Sequence, residues 1–194
     1  MSLEKRRYSV LIVSSSERFC DVLKSLLPEA GYDPVHIVEN VSAGRRALLE
    51  RAYDLVLINS PLPDDPGVRF SIDTCTGKES VVLLFVKAEI QEEIHEKVSG
   101  HGVFTLPKPT SRQSIGLALR WMVSTRERLR KYEQKTLSIQ EKMEEIRLVN
   151  RAKWLLIREL SMDEPHAHRY IEKQAMDQCV TRGQVARDII QMYG

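Results

Sequence analysis

Few residues in this chain combine types and spacings that could do covalent chemistry. The three cysteines, Cys20, Cys75 and Cys179, are odd in number, lack the spacing of metal ligands and fall in segments with helical patterning. They read as reduced, half-buried thiols, which sets aside a disulfide framework or a zinc site, and no metal or cofactor is called for. What the sequence offers is non-covalent. Residues 150–194 hold seven Lys and Arg against six Asp and Glu, a net of +1, so this segment is not strongly basic. Local basic patches can still form where Arg151 neighbours Lys153, where Arg169 lies one helical turn from Lys173, and at Arg182 with Arg187 further along.

Over the whole chain, 29 Lys and Arg against 27 Asp and Glu leave +2, so any claim on a polyanionic partner must rest on such local arrangement. With 42% apolar and 29% charged residues and only nine Gly and eight Pro in 194, collagen-like, low-complexity and wholly disordered chains are excluded. The longest unbroken apolar run is 81–86, far short of a membrane span, and the charged residues at 4–7 precede no leader-like stretch. Secretion and membrane insertion are disfavoured and a cytoplasmic protein is expected.

The positioning elements follow from periodicity. Apolar runs at 9–13, 55–58, 81–86 and 103–106, with a weaker one at 35–38, are rich in Val, Leu and Ile and too short for helices. Amphipathic stretches at 17–27, 41–52, 68–75 and 89–99 separate them. Continuous, non-alternating strands between helices imply a parallel sheet covered on both faces, an α/β doubly wound (βα)5 domain. Ligands of such sheets gather beyond the carboxyl ends of the strands, which directs attention to 14–17, 59–67, 86–89 and 107–109.

From residue 111 the texture changes, with no Pro between Pro109 and Pro165 and no Gly between Gly116 and Gly183. A long helix over 111–149 is the simplest reading, and it would span about 58 Å at the helical rise, carrying its far end past a domain of this size. With Ile115 at heptad position a, Met122, Leu129, Thr136 and Met143 follow at a, and Ala118, Thr125, Tyr132, Ile139 and Ile146 at d. Met122, Leu129, Tyr132, Ile139, Met143 and Ile146 are therefore candidates for a coiled-coil homodimer. In a parallel pair Arg128 would meet Glu133 favourably, Lys135 would meet Gln140 neutrally and Lys142 would meet Arg147 unfavourably, so pairing is real but not strong. The alternative is a stripe folded back on the molecule's own helices. Beyond it, one helix at 150–160, a second capped by Ser161 or Asp163 and ending near Gln178, and a third started by the capping-box pattern Thr181 to Gln184 make a small three-helix bundle.

Two resemblances overlay this reading. The pattern Asn59-x-x-Leu62-Pro63-x-x-x-Gly67 after an apolar strand, with Lys108-Pro109 after the last one, resembles the receiver domain of two-component response regulators. It covers about the first 120 residues and implies a flavodoxin-like, receiver-like fold. In that family a carboxylate ending the third strand accepts phosphate, an acidic pair ending the first strand holds magnesium, a hydroxyl residue ends the fourth and a Lys ends the fifth. Here those positions fall on Asn59, on Ser14 and Ser15, on Val86 and on Lys108. An amide cannot form the acyl phosphate, and two neutral hydroxyls leave little to hold magnesium. The resemblance thus implies a degenerate pocket in a pseudo-receiver that is not phosphorylated. Lys108 could bond the Asn59 oxygen or Ser15.

The second resemblance is carried by Arg151-Ala152-Lys153, Leu155-Leu156, Glu164-x-x-Ala167, Gln174-Ala175-Met176-Asp177, Val185-Ala186 and Ile189. This run is similar to the ANTAR domain, the RNA-binding output module of transcription antitermination regulators, with Trp154 where that family usually has Gly. The resemblance implies a regulator without catalysis that binds looped RNA in a transcript leader, as a dimer, with room for a regulatory protein partner. Candidate RNA contacts are Arg151, Lys153, Arg169, Lys173, Arg182 and Arg187, with His168, Tyr170 and Trp154 as rings on which bases could stack. The expected division is 1–124 receiver-like, 125–149 coiled-coil linker and 150–194 ANTAR. A DNA-binding response regulator and a protein-interaction adaptor are the alternatives, although Arg182, Arg187 and Asp188 make a poor recognition surface for a major groove.

Overall fold

The structure is a computed structural model that describes residues 6–77 and 80–194; the head of the chain, 1–5, with the first charged residues at 4 and 5, lies outside that description. Five parallel strands, β1 (Tyr8–Val13), β2 (Tyr32–Val38), β3 (Leu55–Asn59), β4 (Val81–Lys87) and β5 (Phe104–Lys108), form one sheet in the order β2-β1-β3-β4-β5. Helices α1 (Glu17–Ser25), α2 (Val41–Glu50), α3 (Val68–Thr76) and α4 (Gln91–Ser99) fill the crossovers, and α5 (Arg112–Leu160), α6 (Glu164–Asp177) and α7 (Arg182–Tyr193) follow. By its internal contacts the chain divides into a unit ending at Arg130 and a second running from Lys131 to Gly194.

Strand periodicity explains the two faces of the first unit. Val10 and Ile12 of β1, Leu55 and Leu57 of β3, and Val81, Leu83 and Phe85 of β4 point one way, against Cys20 and Leu23 of α1 and Ile115, Ala118, Leu119 and Met122 of α5. Their neighbours Leu11, Val13, Val56, Ile58, Val82, Leu84 and Val86 point the other way, onto Ala47, Phe70 and Val98 of α2, α3 and α4. A strand buried on both sides cannot alternate with polar residues, which is why these runs read as continuously apolar. Gly67 caps α3 at φ +79, a conformation that strains any residue with a Cβ, and Ile58 Cγ2 lies a tight 3.1 Å from where that Cβ would stand.

The structure corrects three expectations in this part of the chain. Met122 is fully buried in the first unit's core and Leu129 packs half-buried against it, so neither belongs to a seam between copies. No break separates a long helix from a first bundle helix, because α5 continues unbroken from Arg112 to Leu160. The thiols differ from one another too: Cys20 is buried, Cys75 partly so and Cys179 exposed.

A polar anchor holds the first half of α5 to the amino ends of β1 and β3. Asp54, immediately before β3, accepts from Ser9 N (3.0 Å), Ser9 Oγ (3.2 Å), Arg126 Nε (3.1 Å) and Arg130 Nη2 (2.5 Å). The Arg130 guanidinium lies 5.5 Å from the Tyr8 ring centroid, and Tyr8 donates its hydroxyl to Glu127 Oε1 at 3.1 Å. Burial pushes the Asp54 carboxyl up, but the Ser9 N–H and the two guanidinium groups outweigh it and hold the carboxyl below the usual range.

In the second unit Ala152, Leu155 and Leu156 of α5, Ala167, Ile171 and Ala175 of α6, and Val185, Ala186 and Ile189 of α7 form the core. The four alanines let these helices approach closely. Asp163 caps α6 by accepting from His166 N, and Thr181 caps α7 by accepting from Gln184 N. The Gln184 side chain turns along α7 and not back to Thr181: its oxygen accepts from Arg187 Nη1 at 3.3 Å and its Nε2 donates to Asp188 Oδ1 at 3.0 Å.

Candidate functional site

The parallel topology brings the carboxyl ends of β1, β3 and β5 to one edge, and the residues there form a hydrogen-bonded chain. Lys108, ending β5, donates to Asn59 Oδ1 at 2.6 Å and to the Ser60 carbonyl. Asn59, ending β3, donates from Nδ2 to the buried Ser14 Oγ at 3.0 Å, and that oxygen also accepts from Ser16 N at 3.2 Å. Burial, and then the neighbouring Lys87 charge, push the Lys108 ammonium below its usual range.

Ser14, Asn59 and Lys108 thus meet, whereas Ser15 and Val86 do not join them. Ser15 is exposed, and Lys108 reaches the Ser60 carbonyl, not Ser15. Val86 is fully buried in the second core cluster and offers only methyl groups. The nearby Asp64 is occupied elsewhere: it accepts from Val41 N (2.9 Å), Ser42 N (3.0 Å) and Ser42 Oγ (2.9 Å) at the start of α2, bonds that hold its carboxyl low. An amide oxygen and a backbone carbonyl accept from the ammonium, and the Ser14 hydroxyl steadies the amide, without any carboxylate. This arrangement can cross-link three strands, but it offers neither a carboxylate nucleophile nor an anionic ligand set for magnesium.

The basic residues of the second unit fall into two groups. Lys153 Nζ lies 2.7 Å from Glu164 Oε1 and holds that carboxyl low; Arg182 lies 3.7 Å from both Glu145 and Glu172; His168 Nε2 lies 3.3 Å from Glu172 Oε1. Arg187 donates to the Gln184 side chain at 3.3 Å. Among the described residues no carboxylate lies within ion-pairing distance of Arg151, Arg169 or Lys173, all exposed, and Tyr170 presents its ring on the same helix as the last two. Trp154 is 58% exposed, with the Arg158 guanidinium 4.8 Å from its ring centroid. Ile139 and Ile146 are 48% and 59% exposed, and Tyr132 and Met143 also face solvent.

Sequence reading missed Asp54 with its arginines, the Ser60 carbonyl and His166. Only the last had a legible signal, because His166, Arg169, Tyr170 and Lys173 follow the i, i+3, i+4, i+7 spacing of one helix face.

Comparison with known proteins accounts for both halves. The ANTAR domain family matches residues 138–190, inside the second unit. The transcriptional regulatory protein PdtaR of Mycobacterium tuberculosis is 28% identical over 176 residues, covering 89% of this chain and 84% of the relative. Among solved structures, the signal receiver domain of an HD domain-containing protein from Pseudomonas fluorescens Pf-5 superposes with a TM-score of 0.58 at 23% identity, over 68% of this chain and 97% of that one. The chemotaxis response regulator CheY4 of Vibrio cholerae gives 0.53 at 17% identity, over 60% and 99%. At such identities these two likenesses speak for the fold alone, and the fold they share is the receiver. A receiver fold followed by a segment that matches the ANTAR family, in a chain alike over most of its length to a transcriptional regulator, is the combination that supports an ANTAR-domain response regulator.

Proposed function

We propose that the protein is a transcription antitermination regulator. Its second unit binds looped RNA in nascent transcripts, two copies acting together, while its receiver-like unit serves as an unphosphorylated scaffold and no step requires catalysis. The observation that carries this reading is the ANTAR match on a unit whose α6 leaves Arg169 and Lys173 outside any ion pair among the described residues. Phosphate contacts need cations that are not already neutralised, and unpaired loops add base stacking on aromatic rings. Pairing through Tyr132, Ile139, Met143 and Ile146 would place two mildly charged faces on linked loops, where effective concentration compensates for weak individual contacts.

Filter binding across a salt titration tests this reading. Looped RNA is expected to be retained and a duplex DNA of matched sequence released at the same salt. Preferential retention of the duplex would favour a DNA-binding regulator, and retention of neither would favour an adaptor.

The scaffold role has its own test. Incubation with acetyl phosphate and magnesium is expected to leave the intact mass unchanged, because Asn59 supplies an amide where an acyl phosphate requires a carboxylate. A labile gain of one phosphoryl group that disappears in Asn59→Ala would overturn it.

A further inference from the structure

We propose that the concavity beside the turn between α5 and α6 is a nucleotide pocket, in which one unpaired RNA base stacks on Tyr170 while Arg169 and Lys173 hold its flanking phosphates. This rests on the RNA-binding reading above and adds to it where, and by which groups, a base is held.

Three independent features converge on this spot. The first is shape: an open depression of about 520 Å³ is lined by Ser161, Asp163, His166, Arg169, Tyr170 and Lys173, within the size range of small-ligand sites. The second is chemistry. The four α6 residues share one helix face because their spacing returns every turn, and the opposite face of α6 buries Ala167, Ile171 and Ala175. Lys153, His168 and Arg182 face carboxylates, whereas the two cations at this pocket pair with none among the described residues. Tyr170 is 37% exposed, which leaves part of its ring open to a stacking partner. The third is backbone conformation. Ser161 takes φ +50, the left-handed conformation that commonly ends a helix, and so turns the chain from α5 into α6 beside the depression.

The charges also orient the nucleotide. Asp163 spends Oδ1 on His166 N (2.8 Å) and on the His166 ring (2.6 Å), bonds that keep its carboxyl ionised; Arg169 adds to this without closing an ion pair. A carboxylate repels phosphate and accepts N–H donors, so the base edge belongs at the Asp163 end. The phosphates belong one turn along, at Arg169 and Lys173. The pocket therefore favours a base that presents N–H groups on its pairing edge.

The test uses the full chain and a pool of RNA hairpins with a common stem and a randomised loop, from which the tightest binder is kept. Each loop position of that hairpin is then made abasic in turn. One position is expected to weaken wild-type binding by about tenfold or more, the scale of one lost base–aromatic stack. In Tyr170→Ala the same abasic change should cost less than about twofold, and Tyr170→Phe should restore the wild-type pattern. Should Tyr170→Ala unfold, Arg169→Gln decides independently: it should lower the slope of log affinity against log salt by about one, with equal loss at every loop position. Identical abasic profiles in wild type and Tyr170→Ala, or an unchanged salt slope in Arg169→Gln, would overturn the pocket while RNA binding stood. Retention of no hairpin by the wild type would overturn both.

Discussion

Replacing Ile139 and Ile146 together with lysine is expected to convert the protein to a monomer and to lower its affinity for a two-loop RNA by about a hundredfold or more, the usual scale of lost bivalency. Both side chains stand about half exposed on α5, so the substitutions remove apolar surface from a seam and disturb no core. A parallel pair would oppose four new positive charges along a seam in which Lys142 and Arg147 already repel. Binding of a single loop should change little, because each bundle keeps its own Arg169 and Lys173. Sedimentation velocity gives the mass, and filter binding to one-loop and two-loop RNAs gives the affinities. A proven monomer that binds the two-loop RNA as tightly as wild type would rule out paired action, and an unchanged mass would rule out this seam.

Asp54→Ala is the substitution expected to cost most stability. It leaves Arg126, only 7% exposed, and the half-buried Arg130 without their shared carboxylate, and removing one partner of a buried charge cluster costs about 3–5 kcal/mol. It also strips Ser9 N and Oγ of their acceptor. The effect depends on pH in a fixed direction. The folded-state carboxyl is held below its ordinary value, so its stabilisation is complete above an unfolded pKa of about 3.9 and fades as pH falls through the folded value. Denaturant unfolding at pH 7 should separate wild type from Asp54→Ala widely, and the gap should narrow in acid. Equal stabilities at pH 7 would show that the anchor contributes nothing.

Much of the first unit was legible because burial on both faces writes itself into a strand as an unbroken apolar run. Those at 9–13, 55–58 and 81–86 each reappear as a central strand to within a residue or two at either end. Which residues end the strands was legible for the same reason, since strand ends follow from strand positions; reading them as a degenerate pocket came from the resemblance to receiver domains. Which of its residues touch was not. Ser15 lies next to Ser14 in sequence, yet successive residues at a strand end point to different surroundings, and only Ser14 turns inward to Asn59. The heptad reading went astray at Met122 for a comparable reason. An apolar residue every three or four positions marks a buried helix face equally well whether a second helix or a sheet covers it. The sheet covers Met122 and, in part, Leu129, and leaves Ile139, Met143 and Ile146 to solvent.

By itself the sequence determined the order of strands and helices and which residues end the strands, because these depend on residue identity and local periodicity; the missing carboxylates at the strand ends and the type of output module came with the resemblances it carries. The tertiary structure alone decided that Asp54 gathers Arg126 and Arg130 from more than 70 residues away. It alone decided that Lys108 is satisfied by an amide and a carbonyl, and that among the described residues Arg169 and Lys173 close no ion pair while Lys153 and Arg182 do. Charge pairing falls off within a few ångströms, so it is settled by which chain segments packing brings together, and the linear sequence does not contain those distances.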